Sequence, residues 1–468
     1  MLVRRFYDDR LAQASYLIGC QRTNEAIVID PARDIAPYLE AARQEGMTIT
    51  RVTETHIHAD FVSGTRELAA ATGATAMLSA EGGRDWQYRY AERDGATLLH
   101  DGDVIALGAV RLDVWHTPGH TPEHLSFVVR DTARSDDPVA MLTGDFVFVG
   151  DVGRPDLLEK AAGVIGTMES GARDLHRSLE RLKTLPDFLQ IWPGHGAGSA
   201  CGKALGAMPT STLGYERRTN WAFGDLNEAQ FVATVLDGQP SPPTYFAQMK
   251  RINRDGPPVL GARPAPRLLS PALMDGALDD GVVIDLRPFA RFAERHLRGT
   301  LNLPLIRAFT TWAGWLLPYD RDLYLLADDA ASAKAAQDAL ASIGLDEVRG
   351  VFGVDLLDAP EFAERIQEID RESINQAEAL ITEGYAVIDL REPSEWAAGH
   401  LAGARHHPLG TITMTLADLP RDTPVAVHCQ GGTRSAIGAA VLERMGFQRI
   451  VDLTDGWNAR TAAKSGVE

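Results

Sequence analysis

Thr55-His56-Ile57-His58-Ala59-Asp60-Phe61 decides how this chain is read. It follows a β-type run, Thr48-Ile49-Thr50-Arg51-Val52-Thr53. Two histidines and an aspartate occupy alternate positions, and in an extended segment i, i+2 and i+4 share one side. His56, His58 and Asp60 are therefore expected to converge at a strand end, a position suited to a metal. Phe61 stands where a further ligand would serve.

Three more segments have the same character. Thr117-Pro118-Gly119-His120 follows a strand-like run ending at Trp115. Thr143-Gly144-Asp145 follows one ending at Leu142, and Pro193-Gly194-His195-Gly196 follows one ending at Trp192. Each places a ligand-type side chain on a glycine turn that lets backbone approach closely. His100, His116 and His176 lack this setting and read as surface or internally satisfied histidines. Around these segments, β-type runs such as Ala26–Ile29 and Leu125–Val129 alternate with helical stretches from Asp34 to Glu45, Gly64 to Ala71 and Ala172 to Leu185, a pattern of an α/β sandwich.

The chain has 468 residues, enough for two to four domains. No apolar run approaches the ~18 residues of a membrane span. The first residues lack the apolar core of a signal peptide, so a cytoplasmic protein is expected. A formal net charge of -18 argues against nucleic acid or an anionic membrane as partner. The three cysteines, Cys20, Cys201 and Cys429, are too dispersed for a disulfide framework.

Seven of the 25 prolines fall between Pro240 and Pro266, which places a linker at 251–265 after a first domain of residues 1–250. Beyond it the chain repeats. Val283-Ile284-Asp285-Leu286-Arg287 recurs as Val387-Ile388-Asp389-Leu390-Arg391, and His296-Leu297-Arg298-Gly299 as His400-Leu401-Ala402-Gly403, both at a spacing of 104. These are two copies of one α/β domain, 266–362 and 370–468.

The His56–Phe61 stretch, with His120, Asp145 and His195, resembles the metallo-β-lactamase superfamily over about residues 1–250. Its motif is H-x-H-x-D-H with later His, Asp and His segments. The resemblance implies an αββα sandwich with the metal at one edge of the sheets. In binuclear hydrolases of this kind the second metal uses the motif aspartate, the last motif histidine and the late histidine; here Phe61 replaces one of them. What remains is His56, His120 and Asp145, the two-imidazole, one-carboxylate set of mononuclear non-haem Fe(II) oxygenases. This matches the persulfide dioxygenase branch, which implies one Fe(II) per chain, O2 and a small-molecule persulfide. His58, Asp60 and His195 would then surround the ligands, orienting them and bonding bound water. The run Asp151-Val152-Gly153-Arg154-Pro155-Asp156 is similar to that branch and implies that Arg154 belongs to the substrate surroundings. Cys201, six residues after His195, is a further thiol that could meet a persulfide. A zinc thioester hydrolase like glyoxalase II is the competing reading, and Phe61 removes a ligand it needs.

In the last copy, Val425-Ala426-Val427-His428 runs into Cys429-Gln430-Gly431-Gly432-Thr433-Arg434. Successive N–H groups in such a loop form an anion nest that stabilises a thiolate or persulfide, and Arg434 adds positive charge. Gln430, Gly431, Gly432 and Thr433 would contact the substrate. The domain resembles rhodanese sulfurtransferases, which implies that Cys429 carries a sulfane sulfur exchanged with sulfite or thiosulfate. At a spacing of 102, Cys429 aligns with Ala327, Gly431 with Asp329 and Arg434 with Ser332, so residues 266–362 read as an inactive rhodanese suited to spacing, docking or self-association of the chain.

Overall fold

The computed structural model describes residues 1–162, 166–203 and 205–465. They divide into two compact units, Met1–Arg263 with Ala341–Gly344, and Pro264–Leu340 with Leu345–Glu468.

The first unit holds two six-stranded sheets. One runs in the order Leu2–Asp8, Gln13–Cys20, Glu25–Ile29, Thr48–Thr53, Thr75–Ser79, Thr97–Leu99. The other runs Ser211–Thr212, Gln190–Pro193, Pro138–Gly144, Leu125–Asp131, Val110–His116, Val104–Leu107. Period-two patterning explains how they stack. Tyr16, Ile18, Ile27 and Ile29 from one sheet meet Leu112, Val114, Phe127 and Leu142 from the other in a buried core. The alternate residues face outward onto helices. Leu17, Val28 and Val52 pack with Tyr38 and Leu68, while Val128, Met141 and Ile191 pack with Leu175, Leu179 and Leu182. The result is an αββα sandwich.

The helix Phe246–Asp255 extends into the stretch expected to be linker. Its ten residues contain no proline; Pro243 and Pro257 bracket it instead, as residues that start and stop helices do. Irregular chain flanks it on both sides, at 239–243 and from 256 onward.

The second unit contains two sheets of the same plan. In the first copy the order is Leu301–Asn302, Gly281–Asp285, Asp322–Ala327, Val348–Gly353, all parallel. In the second it is Arg405–His406, Ala386–Asp389, Val425–His428, Ile450–Leu453, Asp370–Glu372, also parallel. The repeated Asp-Leu-Arg makes the same buried contact twice. Arg287 bonds the Asp285 carboxylate and the Arg295 carbonyl; Arg391 bonds Asp389 and the Gly399 carbonyl. None of the described helices is long and apolar enough to cross a membrane.

Candidate metal centre and cysteine loop

Strand ends deliver the first unit's polar side chains to one place. The segment after strand Thr48–Thr53 is irregular, so the side chains of the opening motif do not share one side as an extended chain would require. His56 and Asp60 go to two different clusters instead, and His58 joins neither. His56, His120 and Asp145 form one, and Asp60, His195 and Cys201 the other; in each, one ligand atom per residue lies within 4.8 Å of the others. All six residues are buried.

Hydrogen bonds prepare the first cluster for a cation. His120 Nδ1–H donates to the Arg154 carbonyl at 3.1 Å, which leaves Nε2 unprotonated, 3.5 Å from Asp145 Oδ2. Thr55 donates its hydroxyl to Asp30 Oδ2 at 3.0 Å, so its oxygen accepts from His56 Nδ1–H at 3.0 Å. The His56 Nε2 lone pair then faces Asp145 Oδ2 at 3.8 Å. Such outer bonds fix tautomer and ring direction at metal sites. Among the described residues, Asp145 Oδ2 is buried with no hydrogen-bond partner. A buried carboxylate oxygen left bare is costly unless a cation meets it. The residues fit a metal held by His56, His120 and Asp145.

Charge explains the rest. Burial alone would raise the Asp145 carboxyl, but His195, through its charge and its hydrogen bond, together with His56 and His120, holds it well below the usual carboxylate range. Burial and the neighbouring His58 push His56 well below its ordinary value, keeping it neutral and able to ligate. His195 goes the other way. Burial opposes its charge, yet Asp145 and Asp60 raise it well above the ordinary histidine value. Its Nδ1 donates to Asp145 Oδ1 at 2.7 Å and its Nε2 to Asp60 Oδ2 at 2.8 Å. An imidazolium between two carboxylates thus occupies the second cluster. Cys201 closes that cluster, its thiol pushed well above its ordinary value by burial and by the Asp145 and Asp60 charges.

His58 turns away from both clusters. Its Nε2 donates to Asp30 Oδ1 at 3.1 Å, and the Phe61 ring packs on it at 4.4 Å between centroids. Arg154 is not free for substrate either. Its guanidinium is fully buried, bonded to both Asp156 oxygens at 2.7 and 2.8 Å and to the Ala200 and Pro240 carbonyls. Arg154 acts on the site through its carbonyl, which orients His120.

Four contributors carry no motif in the sequence. Asp30 accepts from Thr55 N–H at 2.6 Å and also binds His58. His124 Nε2 accepts the Asp145 N–H at 3.1 Å; its place four residues after His120 was the available signal. Glu123 accepts from Ile57 N–H at 2.8 Å, and burial raises its carboxyl to about 7. Asn253 donates to the His58 and Phe61 carbonyls at 2.8 and 2.7 Å.

In the second unit, Cys429 leaves strand Val425–His428 and precedes helix Thr433–Arg444. The Gly432 N–H donates to its sulfur at 3.1 Å. Gly432 has φ +96°, and a Cβ there would lie 2.3 Å from the Thr454 carbonyl oxygen, so the turn requires glycine. The Trp457 and Asn458 N–H groups donate to the Cys429 and Gln430 carbonyls at 2.8 and 3.0 Å, clamping the loop. The Gln430 side chain is engaged by Arg391 and Asn458, whereas Gly431 and Thr433 are exposed at the mouth. Arg434 does not present a bare charge. It makes a two-pronged ion pair with Glu395 at 2.6 and 2.7 Å. In the first copy, Asp329 accepts from the Ser332 N–H at 2.7 Å, so a side-chain carboxylate already occupies the helix end that would receive an anion.

Both parts of the chain match known families. Residues 8–195 match the family described as metallo-beta-lactamase superfamily, and residues 373–463 match the rhodanese-like domain. The chain is 30% identical over 239 residues to a hydroxyacylglutathione hydrolase of Rhodopseudomonas palustris, covering 51% of this chain and 80% of that protein. It is 27% identical over 199 residues to the mitochondrial persulfide dioxygenase ETHE1 of Bos taurus, covering 42% of this chain and 68% of the relative. A beta-lactamase hydrolase-like protein of Xylella fastidiosa is 28% identical over 255 residues, and the chain spans only 54% of its length. A crystal structure of a metallo-beta-lactamase from Staphylococcus aureus superposes with a TM-score of 0.68 at 42% identity, covering 75% of this chain and 99% of that one. The chain belongs to the metallo-beta-lactamase superfamily and carries a rhodanese-like domain in its C-terminal part.

Proposed function

We propose that the first unit is a persulfide dioxygenase holding one Fe(II) at His56, His120 and Asp145, and that Cys429 is the sulfur carrier of a linked sulfurtransferase in the cytoplasm. The reading rests on one observation. His56, His120 and Asp145 present a complete donor set with a bare carboxylate oxygen, while His195 is locked between two carboxylates and Phe61 replaces a further ligand. A three-ligand Fe(II) supplies open positions for O2 and a substrate sulfur. The protein's own groups do the rest. His120 and His56 are held in the ligating tautomer by Arg154 and Thr55. His195 holds Asp145 ionised and fills the second cluster with a proton-borne charge.

The overall reaction is balanced: persulfide, dioxygen and water give thiol and sulfite, the terminal sulfur being oxidised and dioxygen reduced. At Cys429 the thiolate takes the terminal sulfur of a persulfide and releases the thiol. Sulfite then accepts that sulfur, giving thiosulfate and free Cys429, and the step also runs in reverse. Glutathione persulfide is the substrate of first choice, because several relatives act on glutathione adducts by name. An oxygen electrode with glutathione persulfide tests the reading: one O2 consumed per sulfite formed supports it, and sulfite-free incubation without O2 uptake overturns it.

A second reading has its own support. Once His195 and Cys201 give up their protons, Asp60, His195 and Cys201 offer three more donors, and hydroxyacylglutathione hydrolases are similar to this chain at 30% identity. A zinc thioester hydrolase would cleave S-lactoylglutathione without O2.

A further inference from the structure

Most of the buried or half-buried arginines described above answer to a carboxylate. Arg154 meets Asp156, Arg287 meets Asp285, Arg391 meets Asp389 and Arg434 meets Glu395. In the second unit exposed Arg321 and half-buried Arg421 and Arg444 meet main-chain carbonyls instead, and of these Arg321 and Arg444 lie together. Arg321 donates to the Asp279 and Asp280 main-chain carbonyls at 2.7 and 3.3 Å. Arg444 donates to the Gly299 and Gly281 carbonyls at 2.8 and 3.3 Å. Among the described residues, neither has a carboxylate oxygen within ion-pairing distance. Carbonyl dipoles aim these guanidiniums but bring no full negative charge. The chain carries 64 acidic residues, so carboxylates are not scarce.

Both arginines line one cavity of about 240 Å3, whose walls are otherwise largely apolar: Val282 and Leu301 from the first copy, Val441 and Met445 from the second. Burial and the charge of Arg321 both work against the Arg444 cation. Two like charges facing one small cavity are relieved by an anion placed between them. Each guanidinium has five N–H donors, so some remain for a ligand after the carbonyls are served. The apolar walls disfavour a bare inorganic dianion, which would lose its hydration with little to replace it. They favour a hydrocarbon body behind the charged head. The volume lies below the ~300–1,000 Å3 of drug-sized pockets, so the ligand is small.

We propose that this cavity is a binding site for a small amphipathic carboxylate, its head group held by Arg321 and Arg444 and its apolar body against Val282, Leu301, Val441 and Met445. Because the walls come from both copies, the ligand stabilises their packing within the unit. The proposal is independent of the chemistry assigned to Cys429 and to the metal centre.

The test is calorimetric titration of the full-length protein with octanoate, with sodium sulfate and 1-octanol as controls. One saturable octanoate site per chain is expected, together with an octanoate-dependent rise in thermal midpoint. Arg321→Gln, an exposed position, is expected to weaken binding at least tenfold while circular dichroism shows a folded protein. Thr413→Trp, an exposed position on the cavity rim, is expected to block binding sterically with both arginines present. Octanoate affinity unchanged in both variants overturns the site. Sulfate binding as tightly as octanoate overturns the amphipathic class, and octanol binding equally well overturns the role of the arginines.

Discussion

Asp145 carries the proposed metal centre because its two oxygens have different duties: Oδ1 accepts from His195 and Oδ2 is bare among the described residues. Asp145→Asn keeps the shape and removes the charge. Metal bound per chain after desalting is expected to fall at least tenfold; unchanged metal content would mean that the ion is held elsewhere. A second residue sets a pH dependence. Burial raises Asp452 to about 6, although Ser435 and Arg371 act to lower it. Its folded value exceeds the unfolded one, so the folded state binds the proton more tightly. That contribution is full below about pH 4 and is lost as pH rises through about 6. Asp452→Asn, uncharged throughout, is expected to gain on the parent protein between pH 4.5 and pH 7.5 by about 2 kcal/mol. Urea unfolding of both proteins at the two pH values checks this; an identical difference at both contradicts it. At this scale the sequence singled out His56, His120, Asp145 and Cys429 through their glycine turns and strand ends, and the first three do lie together. It did not reveal Asp30, His124 or Glu395, whose partners are chosen by the tertiary fold rather than by spacing. The alternation argument for His56, His58 and Asp60 failed because the segment after Thr53 is irregular, which sends His58 to Asp30 and Asp60 to His195.

The helix Phe246–Asp255 shows what an element far along the chain contributes to a loop near its start. Asn253 donates to the His58 and Phe61 carbonyls and accepts from the Ser63 N–H at 2.9 Å, splinting the His56–Phe61 loop from behind. Asn253→Ala leaves three buried backbone groups without partners, each costing about 1–3 kcal/mol if water cannot replace the bond. Metal affinity, measured by chelator competition, is expected to drop about 10–100-fold, as for other outer contacts at metal sites; unaltered affinity would show the splint to be idle. Prolines hid this helix. Pro240, Pro242 and Pro243 on one side and Pro257 and Pro258 on the other suggested one continuous linker, whereas they mark its two ends. Strands were easier to read, since the apolar alternation in Tyr16, Ile18, Ile27, Ile29 and Leu112 builds the core between the sheets directly. Gly144 combines both lessons: its φ of +50° and the 2.6 Å a Cβ would leave to Thr55 Oγ1 show why glycine precedes Asp145.

Across the whole molecule, the repeat at a spacing of 104 was legible because the Asp-Leu-Arg contact is structural and both copies need it. The difference between the copies was legible as well. Cys429 sits in a turn whose Gly432 N–H meets its sulfur, while the first copy places Asp329 at its helix start. The two proposed chemistries lie on separate units and predict separable losses. Cys429→Ser is expected to abolish sulfur transfer to sulfite and to leave persulfide-dependent O2 uptake within twofold of the parent; joint loss would refute two independent sites. The central claim, a single iron centre in a fold also used by two-metal hydrolases, is tested most directly by anaerobic Fe(II) titration of the metal-free protein, followed by persulfide-dependent O2 uptake. Activity is expected to rise linearly and to saturate at one iron per chain. Saturation at two metals per chain, or activity restored by zinc without O2 consumption, would contradict it.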